Sequence, residues 1–298
     1  MTVGPRVPAW SVPMFFVVGA VSQYVGAAIG VFLFETIDPA AVAWLRCASA
    51  AVALIAWRRP WRVRWTRRGL ASAAGFGVVT VCMNVAFFEA IARIPLGTAV
   101  AIEFLGPVAV ATLGSRRPRD LLAVVLAAAG VALLAGASEA TGNVAGVEAG
   151  ASVAGIGFAL LAAALWAGYI LMGKRVADAG AGLDSLAVGM GAAAVLLALP
   201  LLLGQLLDDA AVFADPRTWL LGLGIGVLST AVPYALDQVV LTRLGRARFA
   251  LLLALLPATA AVVGATLLAQ APTLAEAIGI AMVMAALVVS AGDGDIVR

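Results

Sequence analysis

The segment Arg58-Arg59-Pro60-Trp61-Arg62-Val63-Arg64-Trp65-Thr66-Arg67-Arg68 carries six arginines between two long apolar runs. A second basic gap, at 115–120, carries three more arginines. Other gaps between apolar runs are acidic or neutral, such as the one that contains Glu35 and Asp38. Because short loops rich in Lys and Arg remain in the cytoplasm, this alternation predicts a chain that crosses a membrane repeatedly.

The composition agrees with this interpretation. Hydrophobic residues make up 63% of the chain and charged residues 12%, and the mean hydropathy is +1.07. A soluble domain is about half apolar and about a quarter charged. The sequence pI near 9.3 comes from residues in short loops that flank apolar runs, so we predict no binding of nucleic acid.

Metal and cofactor chemistry has little support in the residue types. The chain contains no histidine and only two cysteines, Cys47 and Cys82, which both lie in apolar runs. We therefore predict no metal site, no cofactor and no disulfide framework. Carboxylates remain as the groups that can carry protons near neutral pH.

A helix needs about 20 apolar residues to cross the hydrocarbon core. On that basis the predicted spans are 13–34, 39–57, 69–91, 95–114, 120–137, 152–173, 184–204, 218–241, 248–268 and 273–292. With the N-terminus in the cytoplasm, 16 of the 19 Lys and Arg residues lie on the cytoplasmic side. The sequence thus predicts an all-α integral membrane protein with ten transmembrane helices and both termini in the cytoplasm.

The two halves of the chain are similar to each other. A shift of about 150 residues places Arg93 on Arg243 and Pro107 on Pro257. A unit of five spans crosses the membrane an odd number of times, so a tandem copy is inserted upside down. Such a 5+5 inverted repeat, with a substrate site near the midplane, is typical of transporters. Chance similarity between apolar helices is the alternative.

Charged residues inside predicted spans are expensive and usually have partners or face a wet cavity. Arg46 lies seven residues after Pro39, and Glu103 lies eight after Pro95. At 1.5 Å per residue both lie roughly 10–12 Å deep, so an ion pair between them is geometrically allowed. The pair predicts a substrate or proton site, or a structural link between two helices.

Other polar groups in the spans are weaker candidates. Glu89 is near the outer end of its span and is expected at the interface, whereas Asp237 faces either a cavity or the interface. Aromatic and amide side chains that could contact a polar ligand are Tyr24, Asn84, Trp166 and Tyr234. Packing and interfacial aromatic belts compete with that role.

An enzymatic function has no motif to support it. The stretch Gly168-Tyr-Ile-Leu-Met-Gly173-Lys174-Arg175 approaches a phosphate-binding loop, but Arg175 replaces the required hydroxyl residue and the stretch ends a membrane helix. No constellation of nucleophile and base is visible. A membrane enzyme or a non-transporting membrane partner is therefore only a third hypothesis.

Four stretches carry a resemblance to a known family. They are Ile94-Pro-Leu-Gly-Thr-Ala-Val-Ala-Ile-Glu103-Phe-Leu-Gly-Pro107, Ser115-Arg-Arg-Pro118, Leu228-Ser-Thr-Ala-Val-Pro233-Tyr-Ala-Leu-Asp237 and Leu241-Thr-Arg243-Leu. They resemble the drug/metabolite transporter superfamily and, within it, the bacterial threonine/homoserine exporter branch of the ten-helix EamA transporters.

The resemblance implies two EamA five-helix repeats, 1–146 and 147–298, in a bacterial inner membrane. It implies efflux of a small molecule by exchange with protons, in a monomer or homodimer surrounded by lipid. It also places Arg46, Glu103 and Asp237 where that branch carries Arg, Glu and an acidic residue.

The chain departs from the branch at two positions, Leu256 and Gln270, where the branch commonly carries carboxylates. If protons are exchanged, Glu103 or Asp237 must then contribute more to proton binding and release. The leading hypothesis is export of threonine-like or homoserine-like amino acids by alternating access. The alternative is a multidrug or other metabolite efflux transporter of the same fold.

Overall fold

The computed structural model describes residues 11–113, 117–140, 149–178, 182–233, 236, 240 and 252–291. Regular secondary structure within these residues is entirely helical, which confirms the all-α prediction. The α-helices are α1 (Ser11–Leu33), α2 (Pro39–Arg58), α3 (Arg67–Ile91), α4 (Leu96–Glu103), α5 (Leu105–Thr112), α6 (Pro118–Ala140), α7 (Ala149–Asp178), α8 (Gly182–Leu196), α9 (Ala198–Asp209), α10 (Pro216–Gly226), α11 (Leu256–Leu267) and α12 (Leu274–Ala291).

Local sequence explains the ends of the helices around the basic loop. Helix α2 begins with Pro39, whose missing amide costs nothing in the first turn. It ends at Arg58, and the next residue, Arg59, has φ 53° and precedes Pro60. Helix α3 begins after Thr66, whose side chain accepts a hydrogen bond of 3.0 Å from the amide of Gly69. The arginine-rich segment is therefore a short loop between two long helices.

Within the described ranges, five helices are long and apolar enough to cross a membrane. They are Pro13–Leu33, Pro39–Arg58, Arg67–Ile91, Pro118–Ala137 and Val153–Val176. A sixth span results if the pair Leu183–Leu196 and Ala198–Ala214, bent by 45°, is counted as one. Large apolar side chains such as Val195 and Leu207 are 80% and 76% exposed, as expected for surfaces that face lipid.

Two of the predicted spans are each divided into two helices. In the predicted span 95–114, α4 ends at Glu103 and α5 begins at Leu105, because Pro107 has no amide to donate to the Glu103 carbonyl. In the predicted span 184–204, Pro200 likewise provides no donor for the Leu196 carbonyl, and the chain bends there.

The prediction of ten spans is tested only in part. The predicted eighth span, 218–241, contains α10 and a π-helical turn, Val227–Ala231, but most of the span after residue 233 lies outside the described residues. The first part of the predicted ninth span, 248–268, lies outside them as well. The ten-helix count therefore stays a prediction.

The N-terminal helices α1–α6 pack more extensively against the later helices than against each other. The most extensive contacts are those of α6 with α12, of α3 with α7 and α8, and of α2 with α8 and α10. Small residues allow close approach, as expected in lipid. At Gly77 of α3 an added Cβ would overlap the backbone of Gly189 in α8. This packing leaves an internal space between the two sets of helices.

Candidate functional site

The internal space is a cavity of about 630 Å³. Its wall contains residues of α1–α5, α7 and α8, the π turn and the segment that leads into α11. Of the predicted site residues, those on the wall are Tyr24, Arg46, Asn84, Glu103 and Trp166. The other two, Tyr234 and Asp237, lie outside the described residues. The fold thus brings distant parts of the sequence to one space.

Glu103 lies where the fourth predicted span is divided. It is the last residue of α4 and faces the cavity beside Pro107. Its carboxylate forms no ion pair or hydrogen bond with the described residues. It is also the only carboxylate on the described part of the cavity wall. The carboxylate is therefore available to a ligand or a proton.

Arg46 reaches the same cavity from α2. Its Nη2 donates a hydrogen bond of 3.2 Å to the carbonyl of Ser229, and its guanidinium lies 5.5 Å from the centre of the Phe88 ring. The ion pair with Glu103 that the sequence allowed is not among the three ion pairs formed within the described ranges. The two side chains lie within electrostatic range of each other on the wall of the same cavity.

Aromatic and amide side chains complete the predicted set. Tyr24 is only 2% exposed and lies within electrostatic range of both Arg46 and Glu103. Trp166 packs edge-to-face on Phe104, with ring centroids 4.6 Å apart, as aromatic pairs prefer. Asn84 Nδ2 donates to the Thr80 carbonyl at 2.8 Å. Packing thus holds Trp166, and a hydrogen bond holds Asn84, on the cavity wall.

Sequence reasoning missed several neutral polar residues on the wall, namely Gln23, Thr80, Ser229 and Thr230. Hydroxyl residues in apolar helices usually bond to their own backbone, so their presence alone predicts no site. The π turn that contains Ser229 and Thr230 was missed as well. Pro233, four residues after Ser229, is the signal that could have indicated it.

The two positions where the chain departs from the exporter branch have different surroundings. Leu256 lines the cavity, so a carboxylate at that position would face the same space as Glu103. Gln270 does not line it, and its Oε1 accepts a hydrogen bond of 2.9 Å from the amide of Leu96 at the start of α4. Only the change at 256 alters the polarity of the cavity.

Glu89 and Arg93 do not face the cavity. They form an ion pair four residues apart, and Arg93 also lies 5.0 Å from the centre of the Phe158 ring. Their side chains are 15% and 31% exposed. The expectation that Glu89 lies at the membrane interface stays a prediction.

The family model for the EamA-like transporter family matches residues 153–292. The threonine/homoserine exporter RhtA of Escherichia coli K12 is 36% identical over 94% of this chain and 91% of its own length. The RhtA of Salmonella typhimurium LT2 is 35% identical with the same coverage. One solved crystal structure aligns with 94% of this chain and 95% of its own, with a TM-score of 0.59 and 19% identity.

The solved structure supports the fold alone, whereas the relatives decide the family. They are transporters and not enzymes, so this chain is a transporter that handles a small molecule. The apolar helices agree with a multi-pass inner-membrane protein. The chain belongs to the EamA-like transporter family of the drug/metabolite transporter superfamily, as its sequence motifs led us to expect.

Proposed function

We propose that the protein is a secondary-active exporter of amino acids similar to threonine and homoserine, or of related small metabolites. The observation that carries this proposal is one cavity that presents both Arg46 and Glu103. A guanidinium binds a carboxylate bidentately. Glu103 supplies the opposite charge, for a substrate ammonium or for a coupling proton. A cavity with both charges fits a zwitterion.

The relatives support the same cargo. Two proteins named threonine/homoserine exporter match 94% of this chain, so the similarity covers the whole transport path rather than one segment. The cavity residues Tyr24, Arg46, Asn84 and Glu103 lie in the first half of the chain, and Trp166 and Ser229 lie in the second. A site between two halves is the arrangement that alternating access requires.

Direct contacts between equivalent positions support a 5+5 inverted repeat with units 1–146 and 147–298. Gly130 of α6 and Gly279 of α12, 149 positions apart, approach so closely that a Cβ on either would lie 2.9–3.0 Å from the other's carbonyl. Trp44 Nε1 donates a hydrogen bond of 2.7 Å to the carbonyl of Ala194, 150 positions away. Equivalent residues meet in this way near a two-fold axis.

Two further sets of helix contacts support the same symmetry. The contact of α3 with α8 has its counterpart in that of α10 with α2, and the contact of α7 with α4 and α5 has its counterpart in that of α1 with α11. The family model, at residues 153–292, lies within the proposed second unit. The distribution of basic residues supports a cytoplasmic location of both termini.

The proposal also includes exchange of substrate for protons. Glu103 is the proposed proton carrier, and Asp237 remains a second candidate. The proposed functional unit is a monomer or homodimer of the 30.1 kDa chain. The mass of the purified protein in detergent, measured by light scattering, tests that part.

A flux experiment tests the function. The purified chain is reconstituted into liposomes, and transport of the twenty amino acids and homoserine is measured with and without a pH gradient. We expect threonine or homoserine flux that the pH gradient accelerates, with empty liposomes as the control. Absence of protein-dependent flux for all of these compounds would contradict amino-acid export, and flux indifferent to the gradient would contradict proton exchange.

Efflux of drugs or other metabolites is the second candidate function. Much of the cavity wall is apolar, with Phe76, Met83, Met190 and Leu256 among its residues, which suits cargo with a large apolar part. Expression in a sensitive host exposed to a panel of toxic compounds tests it. Protection against apolar cations, together with no amino-acid flux, would favour this function over the first.

A further inference from the structure

The π turn Val227–Ala231 leaves the carbonyls of Leu228 and Ser229 without the amide four residues later that would bond to each in an ordinary α-helix. In this turn the amide of Val232 bonds to the carbonyl of Val227 rather than to that of Leu228. The next carbonyl, that of Ser229, would normally accept from residue 233, but Pro233 has no amide. Isolated π turns within α-helices occur frequently at functional sites.

Two residues from the first half of the chain bond to these carbonyls. Ser22 Oγ of α1 donates to the carbonyl of Leu228 at 2.8 Å, and Arg46 Nη2 of α2 donates to that of Ser229 at 3.2 Å. A carbonyl oxygen has two lone pairs. The Ser229 carbonyl can therefore accept a second hydrogen bond while it holds Arg46.

The hydroxyl of Ser229 is a buried polar group without a hydrogen-bond partner in the described part of the chain. Ser229 is 3% exposed, and its Oγ forms no hydrogen bond with any residue that the structure describes. Buried hydroxyls without a partner are rare and call for an explanation. The glycine at position 26 leaves room for the Ser229 hydroxyl, because a Cβ there would overlap the hydroxyl oxygen. Ser229 lines the cavity with Arg46 and Glu103.

We propose that Ser229 binds the ammonium group of the substrate through its hydroxyl and its carbonyl, while Arg46 binds the carboxylate. The inference rests on the proposed function, since it concerns how that function's substrate is recognised. An ammonium group has three donors and no acceptor, so it needs clustered oxygens. The hydroxyl and carbonyl of Ser229 offer two, and the Glu103 carboxylate on the same wall supplies a charge.

The short distance between Arg46 and the Ser229 carbonyl gives this site its selectivity. In an α-amino acid the carboxylate and the ammonium are attached to the same carbon atom. A donor and an acceptor held 3.2 Å apart can engage both groups of one molecule at once. A compound that lacks the ammonium would lose the charged donor for the Ser229 hydroxyl and carbonyl, which a buried site disfavours.

The test compares L-homoserine with 2,4-dihydroxybutanoate, which carries a hydroxyl in place of the ammonium. Reconstituted full-length protein is assayed for the concentration of each compound that halves homoserine counterflow. In wild type we expect homoserine to be preferred by at least about tenfold, the effect of one hydrogen bond to a charged group. Ser229→Ala removes the hydroxyl, and we expect the preference to fall by about tenfold.

Pro233→Ala is the second variant. It introduces an amide that can bond to the carbonyls of Leu228 and Ser229, so we expect it to lower the preference for homoserine as well. Thr112→Val is the matched control, since the Thr112 hydroxyl already donates to the carbonyl of Val108 and the residue does not line the cavity. The preference of this variant for homoserine should equal that of wild type.

Two results would overturn the inference while leaving export intact. One is a preference for homoserine that is retained in both Ser229→Ala and Pro233→Ala, and the other is the absence of this preference in wild type. Absence of homoserine flux in wild type would instead refute the proposed function.

Discussion

Two arginine–glutamate pairs in apolar segments have different surroundings in this fold. Glu89 and Arg93 are four residues apart and bind each other at the end of α3. Glu103 and Arg46 come from α4 and α2, face one cavity and do not form an ion pair with each other. The first pair neutralises itself locally, whereas both members of the second line the same cavity. Charged residues that line a cavity at membrane depth are candidates for function.

Neutralising each glutamate separately is the strongest test of whether the two pairs differ in function. We expect Glu103→Gln to lower transport by about 100-fold, because it removes a buried charge that the ligand or proton needs. Glu89→Gln, the matched control, should lower it by less than about fivefold. Initial rates in liposomes under a pH gradient measure both. Equal rates for the two variants would show that Glu103 has no role in transport.

The two arginines allow a finer version of the same comparison. Arg46→Lys keeps the charge but loses the planar fork that binds a carboxylate and the Ser229 carbonyl. We expect an increase in the apparent KM for amino acids of about tenfold or more. Arg93→Lys keeps its local ion pair with Glu89 and should leave KM nearly unchanged. A normal KM in Arg46→Lys would exclude bidentate binding.

Close packing of the two sets of helices maintains the cavity, and glycines on α3 test this. Gly77→Ala would overlap the backbone of Gly189, so we expect a loss of about 1–3 kcal/mol. Gly75→Ala is the control on the same helix, because its Cβ would meet only the Cε of Met172 at 3.6 Å. Thermal unfolding in detergent should show a lower Tm for Gly77→Ala alone. A similar Tm for both variants would contradict this.

The smallest effect is expected at a third pair, between Arg58 of α2 and Asp184 of α8. Its two hydrogen bonds measure 3.0 and 3.3 Å, but the Arg58 side chain is 37% exposed. Such a pair is worth only about 0–1 kcal/mol. Asp184→Asn should therefore change Tm by a few degrees at most and transport by less than about fivefold. A larger loss of transport would assign this pair a role in opening the cavity.

Much of the architecture could be predicted from residue pattern. The runs around Arg58–Arg68 predicted α2 and α3 within a few residues, and the local pair of Glu89 and Arg93 could be inferred from its spacing. The division of the fourth span at Glu103 was not predicted, although Pro107 signalled a freed carbonyl. The π turn before Pro233 was also missed, because its sequence, Val-Leu-Ser-Thr-Ala, is compatible with an ordinary helix.

The candidate site was predictable in its charges but not in its neutral groups. Arg46 and Glu103 were conspicuous because charges in lipid are expensive, and both line the cavity. Ser229 and Thr230 gave no such signal, since hydroxyls are common in apolar helices and usually bond to their own backbone. The presence of Leu256 on the cavity wall could not be predicted either, because it depends on where α11 lies in the fold.

By itself, the sequence determined the membrane class, the approximate spans and the family, because lipid imposes length and charge rules on every segment separately. Only the tertiary structure decided which polar groups share a space. That outcome depends on close contacts between helices far apart in the chain, such as Gly77 against Gly189 and Gly26 against Ser229. Packing between distant segments leaves no period in the sequence from which it can be inferred.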